Sequence, residues 1–282
     1  MKRIWNGSWI VSFVILFCSG LYAVSDPDLQ SYSPTFDPGV TGNIISDMGI
    51  VSGCLGKDIL TLPEVIVVES KSMYSQWNNV WSLLMAGTAS VIMHNSGADR
   101  DIADNFKDER ILCSDMDKVM DHVGNPGTHF ALTGIWYALS LSKGDQIGQQ
   151  RAWTMFKALT ITGATTLALK LARDNDTPNG KALAWPSGHT SSSFTVAAVL
   201  DEMYGPEVGV PAYLTAGFVG YRMMESGDHW ASDVVFGAVL GYLVGHHVAG
   251  AQDWNIAGFD MVPLMATEDG RNAAGISFVK QF

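Results

Sequence analysis

A histidine and an aspartate stand four residues apart in the C-terminal third of the chain, at His229 and Asp233. On a helix, residues at positions i and i+4 share a face, so this carboxylate can accept the imidazole Nδ1–H. Such a bond fixes the tautomer and leaves Nε2 unprotonated, which is the state that a nucleophilic imidazole needs. A His/Asp pair on a helix surface has the same spacing, so other residues must decide whether these two form a catalytic pair.

A second group of polar residues, Pro186-Ser187-Gly188-His189, directly precedes an apolar stretch of helical length. A Pro-Ser-Gly turn at the start of a helix offers backbone N–H groups, a hydroxyl and the positive end of the helix dipole, which together suit an anion. The histidine then falls in the first helical turn, beside that anion. Ser-Gly turns also cap many helices that bind nothing, so this turn alone is a weak indicator.

Cations flank these two groups in the sequence. Lys170 and Arg173 end an apolar stretch that begins near Ala152, and Arg222 precedes His229. Cations in the last turn of a helix also interact favourably with its dipole, so the first two have a purely structural alternative. The order along the chain is cations, then an anion-binding turn with a histidine, then an arginine and an oriented histidine. This order indicates a site for an anion of the size of phosphate.

The same order resembles the signature of the type 2 phosphatidic acid phosphatase and vanadium haloperoxidase superfamily. The Pro-Ser-Gly-His motif of that family is intact at residues 186–189. Its last motif, an arginine followed by a histidine and then by an aspartate four residues on, fits Arg222, His229 and Asp233. The resemblance covers about residues 129–250. It implies an all-α helical bundle and a phosphoric monoester hydrolase.

The first motif of the family departs from its usual form in this chain. Lys170 is in place and Pro178 follows it as expected, but Thr177 replaces the arginine expected directly before that proline. His229 also stands seven positions after Arg222, where the family usually has six, which is an insertion of one residue. The loss of one preorganised donor costs about 10²–10³ in rate. The candidate substitutes for the missing arginine are Arg173, on the same helical face as the lysine, and then Lys181.

The resemblance implies a mechanism that needs no metal or cofactor. One histidine attacks phosphorus to give a phosphohistidine, an aspartate orients it, and a second histidine protonates the leaving alcohol and then activates water. Cations and the anion-binding turn hold the phosphoryl oxygens. The expected catalytic residues are His229, His189 and Asp233, and the expected phosphate-binding residues are Lys170, Arg173, Ser187, Gly188 and Arg222.

Two other functions are compatible with the same residues. A haloperoxidase of this fold would hold vanadate in the pocket, with His229 as the metal ligand. A phosphate- or lipid-binding protein would keep the site and lack turnover, because Thr177 removes one contact. Within the phosphatase hypothesis, the substrate is either a lipid phosphate or a small soluble phosphate.

Composition bears on the partners and the surroundings of the chain. It has 282 residues, with 17 basic and 28 acidic side chains and a formal net charge of −11. No cluster of Lys and Arg occurs, so a nucleic-acid partner is not expected. Charged residues make up 16%, against roughly 25% in a typical soluble protein. Lys157 and the pair Asp201-Glu202 interrupt the apolar stretches, which favours core helices over membrane spans. An integral membrane protein, or one associated with a membrane, is the alternative.

The N-terminus has the pattern of a secretory signal. Lys2 and Arg3 precede an uncharged stretch over residues 4–24, and Ala23-Val24-Ser25 places small residues at a cleavage site. We expect residues 1–25 to be removed and the mature protein to be periplasmic or otherwise extracytoplasmic. An uncleaved N-terminal anchor helix is the alternative, because the stretch approaches the ~20 residues that a bilayer needs.

Residues 26–76 are predicted to form an extended segment that wraps over the surface, with a short strand or a helix start at residues 65–68. Residues 99–121 are rich in charge and predict a solvated connection rather than a calcium loop, because they lack the ligand spacing of that motif. The two cysteines outside the leader are Cys54 and Cys113. An exported protein can pair them as a disulfide or keep them as two thiols.

The helical domain is expected over residues 77–252, because apolar stretches of helical length dominate it and no strand-like alternation of similar length occurs. In the last stretch, Gly237, Gly241 and Gly245 recur every four residues and allow a close helix contact. Residues 253–282 predict a C-terminal tail with a small β-hairpin. The apolar stretches cover residues 77–93, 129–141, 152–171, 189–203, 211–224 and 232–248.

Overall fold

A computed structural model describes Pro34, residues 48–108 and 111–250, and the backbone of three strands between residues 255 and 279. The predicted leader, residues 1–25, lies outside the described residues. The helices are α1 (Met48–Ser75), α2 (Trp77–Ser96), α3 (Ala98–Asp108), α4 (Ser114–Gly124), α5 (Pro126–Ser142), α6 (Gln146–Arg173), α7 (Gly188–Tyr204), α8 (Pro206–Glu225) and α9 (Ala231–Ala249).

The all-α bundle predicted from the sequence is confirmed. Helix α7 packs between α8 and α9, and α6 packs against α5, α7 and α9. The core holds large side chains that are fully buried, among them Trp185 and Phe236, whose ring centroids lie 4.3 Å apart. This contact joins the segment before α7 to the first turns of α9, where the candidate site residues also lie.

The glycine stripe of α9 makes the close contact that its spacing predicts. A Cβ atom at Gly241 would lie 2.1 Å from the Ser191 carbonyl oxygen, and one at Gly237 would lie 2.8 Å from the Ser187 carbonyl oxygen. Both distances are too short for a real side chain. Glycine at these positions therefore sets how closely α9 approaches α7.

Hydroxyl groups link α6 to α7 inside the core. Thr162 and Thr195 share a hydrogen bond of 2.7 Å between their hydroxyls, and Thr166 and Ser191 share one of 3.1 Å. Each pair satisfies two buried polar groups, which would otherwise be costly away from water. These bonds fix the position of α6 along α7.

The N-terminal region differs from its prediction. Residues 48–75, expected to be extended, form the long helix α1, and residues 65–68 lie inside it rather than in a strand. The physical reason is tertiary packing: Val65 and Met73 are completely buried against the bundle. The Lys157 ammonium on α6 also forms a 2.7 Å ion pair with Glu69 on α1, so the charge that interrupts an apolar stretch has a buried partner.

The charge-rich segment at residues 99–121 was expected to be a solvated connection. Most of its described residues are exposed, as expected, but the segment is largely helical and some of its carboxylates have partners. It contains α3 and most of α4. Asp99 is only 2% exposed, and Asp117 and Asp121 contact Arg222. These carboxylates have buried or cationic partners, which a count of charges along the sequence does not reveal.

The sequence leaves open whether Cys54 and Cys113 pair, and the structure shows that they do not pair with each other. Cys54 is buried in α1, Cys113 is exposed directly before α4, and the two form no disulfide bond with each other. Burial of the first in the core cluster of α1, α5 and α6 removes it from the surface where the second lies.

One helix among the described residues, α9, is long and apolar enough to cross a membrane, and 78% of it is buried inside the fold. A buried core helix meets the same criterion, so length and composition do not place α9 in a bilayer. The strands β1 (Asn255–Ile256), β2 (Phe259–Glu268) and β3 (Arg271–Val279) follow it. Strands β2 and β3 pair antiparallel from Asp260 with Val279 to Glu268 with Arg271.

We expect Gly241→Ala to lower the free energy of unfolding by at least about 1–3 kcal/mol, because the added methyl group overpacks the contact between α9 and α7. The matched control is Gly134→Ala on α5, where a Cβ atom meets nothing within 4 Å. That change should stabilise the helix by up to about 1 kcal/mol. Thermal unfolding of both variants tests this, and equal effects would contradict the close contact.

Candidate active site

The turn before α7 has the hydrogen bonds that are expected of an anion-binding turn. Ser187 is the N-cap of α7, and its hydroxyl oxygen accepts hydrogen bonds from the Thr190 backbone N–H at 3.3 Å and from the Thr190 hydroxyl at 3.0 Å. The hydroxyl proton of Ser187 is not used in either bond. Gly188 is the first residue of the helix, so its amide is among the N–H groups that have no acceptor within the helix.

The predicted catalytic pair lies at the start of α9. His229 Nδ1 is 3.3 Å from Asp233 Oδ2, which is a hydrogen bond when Nδ1 carries the proton. The same carboxylate oxygen accepts the Trp230 backbone N–H at 3.0 Å, so it caps the helix as well as orienting the imidazole. The Asp233 carbonyl oxygen accepts the Ser187 backbone N–H at 3.1 Å. One residue therefore ties the nucleophile candidate to the anion-binding turn.

Asp233 is completely buried, and two cations lie close to it. Burial lowers the pKa of Lys170 to about 8, and the Asp233 charge opposes that shift. Burial likewise lowers the pKa of Arg173 to about 10, against the opposing charges of Asp233 and Asp99. A buried carboxylate needs such compensation, because removing a charge from water costs several kcal/mol.

The two cations also have structural partners. Lys170 donates hydrogen bonds to the carbonyl oxygens of Leu183, through a very short contact, and Ala184, at 3.1 Å. These bonds use two of its three N–H donors. The Arg173 guanidinium lies 5.3 Å from the centre of the Trp185 ring, a cation–π contact beneath the site.

Arg222, the arginine of the last motif, is held by three carboxylates. Its Nε donates to Asp117 at 2.8 Å, and its Nη1 donates to Asp228 at 2.9 Å and lies 3.0 Å from an oxygen of Asp121. Asp117 and Asp121 come from α4, which lies over this end of the bundle. An anion that binds Arg222 therefore competes with these carboxylates.

His189 lies next to the same group. Its Nε2 is 3.8 Å from Asp121 Oδ1, which is longer than a hydrogen bond. Burial lowers the pKa of His189 to about 4; Asp121 opposes the shift, while His229 and Arg222 add to it. Arg222 Nη1 lies 3.0 Å from the same oxygen of Asp121, so His189 and Arg222 face one carboxylate. The structure thus gathers the residues of the second and third motifs at one end of the bundle.

Sequence reasoning missed the acidic residues of the site. Asp117 and Asp121 are four residues apart on α4, and that spacing alone places them on one helical face. Asp228 belongs to the segment with the one-residue insertion, and its contact with Arg222 was not foreseen. Nothing in the sequence pattern points to Asp99, which reaches the site from a different helix.

Asp99 lies on α3 and caps the N-terminus of α9. Its carboxylate oxygens accept the Ser232 backbone N–H at 2.9 Å and the Ser232 hydroxyl at 2.6 Å, and one of them lies 3.0 Å from His94 Nδ1. Two carboxylates, Asp99 and Asp233, thus bind amides in the first turn of α9, where the positive end of the helix dipole favours them.

The fold and the gathered motifs are similar to those of the PAP2 superfamily over part of the chain. Residues 168–257 match the family model described as the PAP2 superfamily, which confirms the resemblance stated from the motifs. A solved structure, the transmembrane PAP2 type phosphatidylglycerolphosphate phosphatase from Bacillus subtilis, shares the fold with a TM-score of 0.50 and 20% identity, over 60% of this chain and 92% of that chain.

A curated relative is the lipid A 1-phosphatase of Porphyromonas gingivalis, with 36% identity over 91 residues. The match spans 31% of this chain and 20% of that protein, so the similarity is confined to one region of the relative. The matched family segment contains all three motifs, from Lys170 to Asp233.

We expect Asp99→Ala to lower the free energy of unfolding by about 1–3 kcal/mol, because it leaves the buried Ser232 amide without its acceptor. Asp101→Ala is the matched control: Asp101 lies in the same first turn of α3 and is exposed. Chemical unfolding of both variants measures the difference. Equal stability of the two would show that Asp99 does not hold the start of α9.

The pKa of His189 also predicts how stability depends on pH. The folded pKa of about 4 lies below the ordinary value of 6.5, so between these pH values the unfolded chain binds more protons. Stability should therefore fall as the pH drops from 6.5 towards 4. His189→Asn should reduce that fall, while His129 and His247, whose pKa values burial also lowers, keep part of it. Unfolding free energies at several pH values test this, and an unchanged slope would contradict it.

Proposed function

We propose that this protein is a phosphatase that hydrolyses lipid phosphomonoesters through a phosphohistidine. The observation that carries the proposal is the His229–Asp233 pair, joined by a backbone hydrogen bond to the Ser187 turn and close to His189. These are the groups that in-line phosphoryl transfer through a histidine requires: an oriented imidazole, an anion-binding turn and a second imidazole.

The first step forms a bond between His229 Nε2 and phosphorus and breaks the bond between phosphorus and the leaving oxygen. His189 gives its proton to that oxygen, so an alcohol leaves. In the second step, a water oxygen bonds to phosphorus while the bond between phosphorus and His229 Nε2 breaks; the water gives a proton to His189, and inorganic phosphate is released. The Gly188 amide and the Ser187 hydroxyl donate to the phosphoryl oxygens, where negative charge is concentrated.

His189 must be protonated to act as the acid. Burial and two neighbouring groups keep its pKa low in the unliganded protein. A phosphoryl dianion next to it favours the imidazolium, because an opposite charge within about 4–6 Å raises the pKa of a histidine. Substrate binding thus favours the protonated form of His189, which then gives its proton to the leaving oxygen.

No metal enters this mechanism, since fixed cations supply the positive charge. Lys170 keeps one N–H donor beyond its two carbonyl bonds, and Arg222 presents its guanidinium to the same end of the bundle. The phosphoryl group has to displace carboxylates of α4 from Arg222. A dianion with several oxygens is a stronger acceptor than a single carboxylate, so the exchange is favourable if α4 yields.

The side chains of α4 favour a lipid phosphate over a small soluble one. Met116, Val119 and Val123 on this helix are exposed, while Asp117 and Asp121 turn inward to Arg222. The helix next to the site thus presents apolar side chains outward, where acyl chains would approach. The net charge of −11 gives no general attraction for a soluble anion.

The similar proteins support the same substrate class. The lipid A 1-phosphatase and the phosphatidylglycerolphosphate phosphatase are both named for lipid phosphates. We extend this to the site of action and propose that the protein works outside the cytoplasm at a membrane surface. The signal-like N-terminus and the exposed apolar side chains support this location.

We expect release of inorganic phosphate from an aryl phosphate and, faster, from short-chain phosphatidic acid in detergent micelles, with inhibition by orthovanadate. His229→Ala should reduce the rate by about 10³-fold or more, because it removes the nucleophile. His122→Ala is the matched control, since His122 is an exposed histidine on α4. An acid-labile phosphoryl label should appear on the wild type and not on the His229 variant.

Each contrary result points to a different function. Activity that survives His229→Ala overturns the nucleophile. Phosphate binding without hydrolysis across lipid and soluble substrates favours the binding protein. Bromination that needs vanadate, peroxide and halide favours the haloperoxidase.

A further inference from the structure

The two departures from the family pattern contact each other in the fold. Thr177 stands in place of the first-motif arginine, and Asp228 lies in the segment with the extra residue. The Asn179 backbone N–H donates to the Gly227 carbonyl oxygen at 3.1 Å, which brings the two loops side by side. The loop that contains Thr177 and the loop that contains Asp228 are therefore joined by a hydrogen bond.

Asp228 binds a cation with each of its carboxylate oxygens. Oδ1 accepts from the Lys181 ammonium at 2.8 Å and from the Asn179 amide at 2.8 Å. Oδ2 accepts from Arg222 Nη1 at 2.9 Å and from the Ser226 hydroxyl at 2.8 Å. The ammonium and the guanidinium are thus each one hydrogen bond from the same carboxylate. That carboxylate occupies the place of an anion between two cations.

Thr177 has a role of its own in this arrangement. Its hydroxyl donates to the Asn179 side-chain oxygen at 2.6 Å and accepts the Lys181 backbone N–H at 2.9 Å, and its backbone N–H donates to the Lys181 carbonyl oxygen at 2.8 Å. The threonine therefore closes a tight turn that carries Lys181. An arginine side chain at this position would not make the hydroxyl bonds.

Arg173 is placed differently. It lies under Trp185 and interacts with the buried charges of Asp233 and Asp99, whereas the Lys181 side chain is 70% exposed. An exposed cation beside Arg222 is reachable by a ligand. The buried arginine already balances buried carboxylates, and moving it to a ligand would leave them uncompensated.

We propose that Lys181 supplies the cation that the first-motif arginine supplies elsewhere in the family, and that Asp228 is the positioning residue that holds Lys181 beside Arg222 until a phosphoryl group replaces its carboxylate. This inference rests on the proposed phosphatase activity. It assigns to the anion site a residue outside the three motifs.

Asp228 suits this role because it stays ionised. Burial would raise its pKa, but hydrogen bonds from Lys181, Ser226 and Asn179 outweigh burial and lower the pKa to about 2. The carboxylate therefore holds both cations over the whole pH range in which a phosphatase is assayed.

The experiment compares Lys181→Gln, Lys181→Arg and the control Lys143→Gln, an exposed lysine after α5. With an aryl phosphate, Lys181→Gln should lower kcat/KM by about 10²-fold, the lower end for one donor to a developing oxyanion. The inhibition constant of orthovanadate should rise as well. Lys181→Arg should keep most activity because it keeps the charge, and Lys143→Gln should change neither constant.

Asp228→Asn tests the positioning role. It removes the charge that holds Lys181, while Asp117 and Asp121 still hold Arg222. We expect a lower kcat/KM for this variant and no further loss in the double variant with Lys181→Gln, because both changes remove one interaction. Losses that multiply would show that Asp228 does not act through Lys181. Melting temperatures near that of the wild type separate these effects from misfolding.

The results distinguish this inference from the proposed function. An active wild type with an equally active and equally vanadate-sensitive Lys181→Gln variant overturns the inference alone. A wild type that hydrolyses no phosphomonoester overturns the proposed function. Calorimetric binding of orthovanadate then decides the role of Lys181: weaker binding by Lys181→Gln supports it, and equal binding or no binding by either protein overturns it.

Discussion

The rest of the site depends on the hydrogen bonds of the buried residue Asp233. It caps α9, orients His229 and, through its carbonyl, fixes the turn before α7. A charge without solvent needs opposite charge nearby. Lys170 and Arg173, both partly buried at the end of α6, meet that need. Lys170 and Arg173 thus have a structural role at this site.

A second layer of carboxylates surrounds Arg222. Three carboxylates, those of Asp117, Asp121 and Asp228, contact this one guanidinium. Negative charge therefore surrounds Arg222 at the position where a phosphate is expected. A phosphate that binds Arg222 therefore has to replace carboxylates that already contact the guanidinium. A substrate with further contacts, such as acyl chains against the exposed side of α4, can supply the free energy for that exchange, whereas free phosphate has no such source.

The sequence predicts the parts of the site that depend on local spacing. The pairing of His229 with Asp233 follows from a helical turn, and the Ser187 cap follows from a Pro-Ser-Gly turn before an apolar helix. Local patterns also predict the fold class and the close approach of α9 to α7. Helical periodicity indicates the first, and the glycine stripe of α9 indicates the second. The helix over residues 48–75 and the position of α4 are different, because packing against distant helices decides the first and ion pairs with Arg222 decide the second. Asp99 binds Ser232 from far away in sequence, and such contacts leave no local pattern.

The hydroxyl pairs between α6 and α7 have a consequence for how this site tolerates change. Thr162 with Thr195, and Thr166 with Ser191, set the longitudinal register of the two helices. The helices themselves therefore help to align the end of α6 with the start of α7, in addition to the bonds from Lys170 to the connecting residues. The connection does not have to set this distance alone, so its residue 177 can make a different turn from the one an arginine would make, as Thr177 does for Lys181. A threonine in place of an arginine is the kind of substitution that such an arrangement permits.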